Sequence, residues 1–209
     1  MVNSKKSISR LHYLTQDLAD VSHQELAEVA CANGIRWIQL RVKNKPYDEW
    51  LQIAREVKFI CERSGATLII NDNVQIAKEV DAQGVHLGKS DMPLMEARKI
   101  LGEDKIIGGT ANTLEDVLRL QSEGADYIGL GPFRFTATKE NLSSILGMEG
   151  YSSIVQCYNS SIPIIAIGGI TMDDVRPLLD AGVYGVAVSS AINAAADKAK
   201  TIREFLKAV

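Results

Sequence analysis

Short apolar runs recur along the chain, and most of them run into glycine, asparagine, aspartate, threonine or serine. They are LHYLT from Leu11, IRWIQLR from Ile35, TLIIND from Thr67, GVHLG from Gly84, KIIGGT from Lys105, YIGLGP from Tyr127, PIIAIGG from Pro163 and GVAVSSAI from Gly185. Most are apolar on both alternations, the pattern of a strand covered on both faces. Between them, apolar residues return at helical spacing. Trp50, Ile53, Ala54, Val57 and Ile60 share one face, with Glu49, Arg55, Glu56 and Lys58 off it. Thr113 before LEDVLRL reads as an N-cap, with Glu115 and Asp116 in the first turn. Thr171 before MDDVRPLL reads the same way, and Pro177 is expected to weaken or bend that helix. Ala191 to Val209 reads as one last helix.

Eight strands alternating with helices imply parallel strands joined by right-handed crossovers. The expected fold is therefore α/β: a closed (β/α)₈ TIM barrel, one domain over residues 1–209. An open doubly wound sheet usually carries a glycine-rich turn after its first strand, and LHYLTQDLAD has none.

Composition changes this picture little. Hydrophobic residues make up 46% and charged residues 23%, enough apolar material for a sizeable core. A net charge of −3 with no basic stripe argues against a nucleic-acid partner. Cys31, Cys61 and Cys157 form no CxxC and no metal spacing, so they read as free thiols, small and buried or half-buried, in a reducing compartment. MVNSKKSISRLHYL lacks the apolar run of a secretory signal, and no window approaches the roughly 20 apolar residues of a spanning helix. The expectation is a cytoplasmic protein without a membrane partner; a homo-oligomer is left open.

In a (β/α)₈ barrel the chemistry sits at the C-terminal ends of the strands. Gln39, Arg41 and Lys43 alternate with Leu40 and Val42, so an amide and two cations share one face, as anion binding requires. A set of salt bridges at a solvated strand end explains the same residues. Asp72 and Asp91 lie on the next two βα loops, where they suit Mg²⁺ beside a phosphorylated substrate; both also read as helix caps. The strand ends further supply Asn71, Thr110, Gly169, Ser189 and Ser190. Glycines there let the backbone approach a ligand, and N–H groups at a following helix start bind phosphate.

The segment from Gly131 to about Gly150 is long for a βα connection and reads as an active-site loop, a lid in which Thr136, Thr138 and Lys139 contact phosphate. His12 and His86 read as satisfied barrel-interior histidines, and His23 as lying on a solvated helix.

QLRVK, IINDNVQIA, GVHLGKSDMP, IIGGT, YIGLGPFRFTATK, AIGGI and VSSAI, in this order, resemble the thiamine phosphate synthase family from Leu11 to Ile192. The resemblance implies a Mg²⁺-dependent transferase of thiamine biosynthesis on a TIM barrel. It would join 4-amino-2-methyl-5-hydroxymethylpyrimidine diphosphate to the phosphate of 4-methyl-5-hydroxyethylthiazole, releasing diphosphate. It implies that Gln39, Arg41, Lys43, Asn71, Thr110 and Lys139 hold the pyrimidine diphosphate. Arg41, Lys43 and Lys139 would be the catalytic cations, and Asp72 and Asp91 the metal ligands. Thr136, Thr138, Gly169, Ser189 and Ser190 would hold the thiazole phosphate.

The chain departs from the family pattern in places. Thr110 and Asn112 stand where a serine and a histidine are usual, Phe135 and Ala137 replace prolines of the lid, and Ser189 replaces an aliphatic residue. Two alternatives compete. One is a thiazole tautomerase, which wants a base such as histidine where Asn112 stands. The other is a non-catalytic protein that binds thiazole phosphate or thiamine phosphate.

Overall fold

The computed structural model describes residues 6–135 and 144–209. Eight parallel strands close into a barrel in sequence order: β1 (Leu11–Leu14), β2 (Trp37–Leu40), β3 (Thr67–Asn71), β4 (Gly84–Leu87), β5 (Ile106–Ala111), β6 (Tyr127–Leu130), β7 (Ile164–Ala166) and β8 (Gly185–Val188). β1 closes the barrel, pairing Tyr13 with Ile38 on one side and His12 with Ala187 on the other. The helices are α1 (His23–Ala32), α2 (Tyr47–Ser64), α3 (Val74–Glu79), α4 (Leu94–Leu101), α5 (Leu114–Ser122), α6 (Gly147–Cys157), α7 (Met172–Asp180), α8 (Ser190–Asn193) and α9 (Lys198–Ala208). Among the described residues no helix is long and apolar enough to cross a membrane.

Because side chains alternate along a strand, each strand feeds two cores. Ile38, Leu40, Ile70, Val85, Ile107 and Ile128 pack outward against the helices. Leu14, Trp37, Ile69, Ile106, Tyr127, Ile165 and Ala187 form a separate cluster that fills the barrel. The filling depends on size matching between neighbours. A methyl group added at Gly108 would come within 2.2 Å of the Tyr127 ring, so the absence of a side chain on β5 is what admits the tyrosine of β6.

His12 and His86 are interior, as expected. His12 stacks on Trp37 with ring centroids 4.1 Å apart and hydrogen-bonds the Ser9 carbonyl at 3.0 Å. Burial, then the neighbouring His86, pulls its pKa down to about 3, so it stays neutral.

Thr113 and Thr171 do cap their helices, each in a capping box with an aspartate three residues on. Helix α7 runs through Pro177 to Asp180 without interruption. The expected last helix is two: the chain leaves helical geometry after Asn193, and Asp197 caps α9 by accepting from the Lys200 amide at 2.8 Å.

Candidate active site

The strand ends of β2 and β3 are tied to each other. Gln39 is buried and its side-chain amide donates to Asn71 Oδ1 at 2.8 Å. Arg41 and Lys43 continue past the strand, and burial falls off along Gln39, Arg41 and Lys43 toward the mouth. Their backbone is held from β1's side. The Arg41 amide donates to Thr15 Oγ1 at 3.1 Å, and the Lys43 amide to Asp17 Oδ2 at 3.0 Å. His23 locks both acceptors, with Nδ1 2.8 Å from Thr15 Oγ1 and Nε2 3.0 Å from Asp17 Oδ1. His23 is therefore buried and not on a solvated face: it opens α1, and its ring turns back under the β1 loop. The sequence pattern gave no signal for this Thr15–Asp17–His23 support.

Neither acid of the pair caps a helix. Asn73 caps α3, accepting from the Ile76 amide at 3.0 Å, and Pro93 precedes α4. Asp72 adopts φ 65°, a left-handed conformation uncommon outside glycine, and its amide donates to the His86 carbonyl at 2.8 Å. Its carboxylate accepts from Lys43 Nζ. Asp91 closes a tight turn, its Oδ2 accepting from the Gly88 amide at 2.7 Å.

Burial raises the Asp91 pKa, a shared hydrogen bond and like charge from Asp72 raise it further, and the Gly88 amide and Lys43 oppose the rise. Two carboxylates thus face each other across adjacent loops, with a cation beside them. No group of three His, Cys, Asp or Glu that could hold a metal occurs among the described residues. A metal here would have to complete its shell from water and ligand oxygens. That donor set fits Mg²⁺ and does not fit a closed structural zinc site.

On β5 the Thr110 hydroxyl lies 3.0 Å from His86 Nε2, whose Nδ1 lies 3.0 Å from the Tyr127 hydroxyl, so Thr110 is anchored on the barrel interior. The Asn112 side chain donates to the Gly131 carbonyl, and Lys89 pairs with Asp116 at 2.5 Å.

Gly168 and Gly169, with φ of 99° and 69°, form the turn after β7. Against it lies Arg134, which sequence reasoning passed over although it stands within the basic stretch FRFTATK. Ser190 opens the single turn of α8, and the Ser189 hydroxyl donates to the Leu14 carbonyl at 3.1 Å. Thr136, Thr138 and Lys139 lie outside the described residues. The loop ends at α6, four residues short of its expected limit near Gly150. Its two ends are pinned where Leu146 donates to the Pro132 carbonyl at 2.9 Å and Gly147 to the Phe133 carbonyl at 3.0 Å.

The structure thus pairs Gln39 with Asn71 and, one residue further along the chain, gathers Lys43, Asp72 and Asp91. It sets Thr110, Gly169, Ser189 and Ser190 at the other strand ends of the same rim. A cavity of about 230 Å³ adjoins Asp72, lined also by Trp50, Asn73, Val74, Gln75 and Met92.

A closed parallel barrel with charged and amide side chains gathered at the C-terminal strand ends has the architecture of the (β/α)₈ enzymes. The family described as thiamine monophosphate synthase matches residues 12–192. A thiamine-phosphate synthase of Bacteroides fragilis is 46% identical over 199 residues, covering 94% of this chain and 98% of that protein. One from Flavobacterium psychrophilum is 47% identical over 204 residues, covering 95% and 98%. The structure of a thiamine phosphate pyrophosphorylase from Pyrococcus furiosus superimposes with a TM-score of 0.84 at 35% identity, covering 95% of this chain and 94% of that one. The chain belongs to the thiamine monophosphate synthase family and is a transferase.

Proposed function

We propose that this protein is a thiamine-phosphate synthase that joins 4-amino-2-methyl-5-hydroxymethylpyrimidine diphosphate to 4-methyl-5-hydroxyethylthiazole phosphate, releasing diphosphate. The observation that carries the reading is the facing pair Asp72 and Asp91 with Lys43 hydrogen-bonded to Asp72. Two acids and a cation at one rim suit a diphosphate that must be held and then released.

Asp72 and Asp91 would hold Mg²⁺, which when bound would neutralise charge on the leaving diphosphate. Arg41, Lys43 and Lys139 stabilise the negative charge that grows on the departing group. Gln39 and Asn71, already bonded to each other, and Thr110 orient the pyrimidine diphosphate. Thr136, Thr138, Gly169, Ser189 and Ser190 position the thiazole phosphate so that the ring nitrogen attacks the pyrimidine methylene carbon. The substitution is dissociative: the carbon–oxygen bond to diphosphate breaks first, and the carbon–nitrogen bond then forms. No side-chain nucleophile or base is needed. That agrees with Asn112 being bonded to the Gly131 carbonyl where a tautomerase would want a base.

The test is to mix the protein with both substrates and Mg²⁺ and to assay thiamine phosphate and diphosphate. Asp91→Ala is expected to cut turnover far more than Thr138→Ala. Activity that survives chelation, or equal loss in both variants, would count against these roles.

A further inference from the structure

Arg134 makes an unusual set of contacts for a side chain that is half exposed. Its two terminal nitrogens each donate to an oxygen of Asp174 at 2.7 Å, a bidentate fork. Nη1 also reaches the Gly169 carbonyl at 3.2 Å and Thr171 Oγ1 at 3.4 Å. The guanidinium carbon lies 5.0 Å from the centre of the Phe133 ring. The backbone amide of Arg134 donates to the Gly168 carbonyl at 3.0 Å. One residue on the segment after β6 therefore holds two successive carbonyls of the turn after β7.

The consequence is geometric. In a trans peptide the N–H points opposite to the C=O. Fixing the Gly168 carbonyl fixes the Gly169 N–H, and fixing the Gly169 carbonyl fixes the Ile170 N–H, both directed away from the arginine. The turn itself is built to admit this contact: a methyl group added at Gly169 would lie 2.4 Å from Arg134 Cγ. Asp174 Oδ2, which accepts from Arg134 Nη1, also accepts from the Thr171 amide and hydroxyl, each at 2.7 Å. The fork is thus seated on the rigid capping box of α7.

A helix cap alone needs only Thr171 and Asp174, so capping does not account for a two-pronged contact from a half-exposed arginine onto the buried Asp174 carboxylate, nor for its reach to the Gly169 carbonyl. We infer that Arg134, seated on Asp174, is a positioning residue that aims the Gly169 and Ile170 N–H groups at the phosphate of the thiazole substrate. This deepens, and rests on, the reading of the Gly169 turn as part of the thiazole phosphate site. Arginine is required for its planar fork, and a lysine would supply charge to Asp174 without fixing the Gly169 carbonyl as well.

Arg134→Met and Arg134→Lys test this through three measurements. Hydrogen exchange without ligand should quicken about tenfold in residues 167–171 in both variants. The KM for the thiazole phosphate should rise about tenfold or more, while the KM for the pyrimidine diphosphate moves less than about twofold. Calorimetric affinity for the thiazole phosphate alone should fall in step. Unchanged exchange, equal shifts in both KM values, or full rescue by Arg134→Lys would overturn the assignment. If the wild-type protein makes no thiamine phosphate, the functional reading fails by itself. Calorimetry and exchange then still decide the positioning role, which falls if the variants bind the thiazole phosphate as tightly as wild type.

Discussion

Asp91 turns its carboxylate onto that of Asp72, close enough for a shared hydrogen bond, while its own Oδ2 is fixed by the Gly88 amide. Two acids in contact repel each other when both are ionised, and Lys43 offsets only one of their two charges, so the pair is less stable without a divalent cation than with one. Asp91→Asn removes one charge of the pair. In metal-free buffer at neutral pH its thermal midpoint should equal or exceed that of wild type. Adding Mg²⁺ at tenfold over its Kd should stabilise wild type by about 1.4 kcal/mol and leave the variant nearly unmoved. Thermal melts with and without Mg²⁺ check this; an equal metal response in both proteins would remove Asp91 from the metal site.

His12 carries a pH signature. Its pKa in the folded protein is about 3, against about 6.5 when unfolded, because burial and His86 disfavour the charged ring. The folded-state value is depressed, so the unfolded chain binds the proton first. The stabilising contribution is complete above pH 6.5 or so and is lost progressively as pH falls toward about 3. The loss is on the order of 5 kcal/mol across that window. His12→Phe keeps the stacking partner of Trp37 and cannot protonate. Its stability should fall less steeply than that of wild type between about pH 6 and 4 in denaturant titrations.

The barrel was legible because each strand had to be apolar on both alternations, as in Trp37–Ile38 and Ile69–Ile70, one residue facing the interior and the next the helices. The mouth was legible in part because QLRVK sets three polar side chains on one face. What stayed hidden are contacts between distant segments. His23 reads as an ordinary first residue of an amphipathic helix, and only the fold brings it to Thr15 and Asp17. Arg134 and Asp174 stand forty residues apart, and the spacing carries no sign of their fork. The break between α8 and α9 was missed because AAADKAK is rich in helix formers; Asp197 acts there as a cap.

The opposite end of the barrel is held by charge. Asp126 accepts from Lys6 at 2.9 Å, from Arg98 at 2.6 Å and from the Ile107 amide at 2.7 Å, while Lys6 also donates to the Lys105 carbonyl at 2.7 Å. This network precedes β6, on the N-terminal face, where a barrel's residues serve stability. Asp126→Ala strands two cations and an amide. It should cost about 1–3 kcal/mol in equilibrium unfolding and leave kcat/KM within about twofold of wild type.

The cysteines separate thiolate character from access. Cys31 and Cys61 are buried on neighbouring helices α1 and α2, and Cys157 is exposed, against the expectation of a small buried or half-buried side chain. A hydrogen bond from Cys61 favours the Cys31 thiolate and lowers its pKa to about 7, against the effect of burial; the same contact pushes the Cys61 thiol up. On pKa alone Cys31 should be the reactive thiol at neutral pH. Burial reverses the order, because a disulfide reagent must reach the sulfur and Cys31 is only 5% exposed. One thiol per chain, Cys157, should therefore label rapidly in native buffer, and the other two only as α1 and α2 open. Rapid labelling that survives Cys157→Ser would show that α1 and α2 part far more readily than this packing implies.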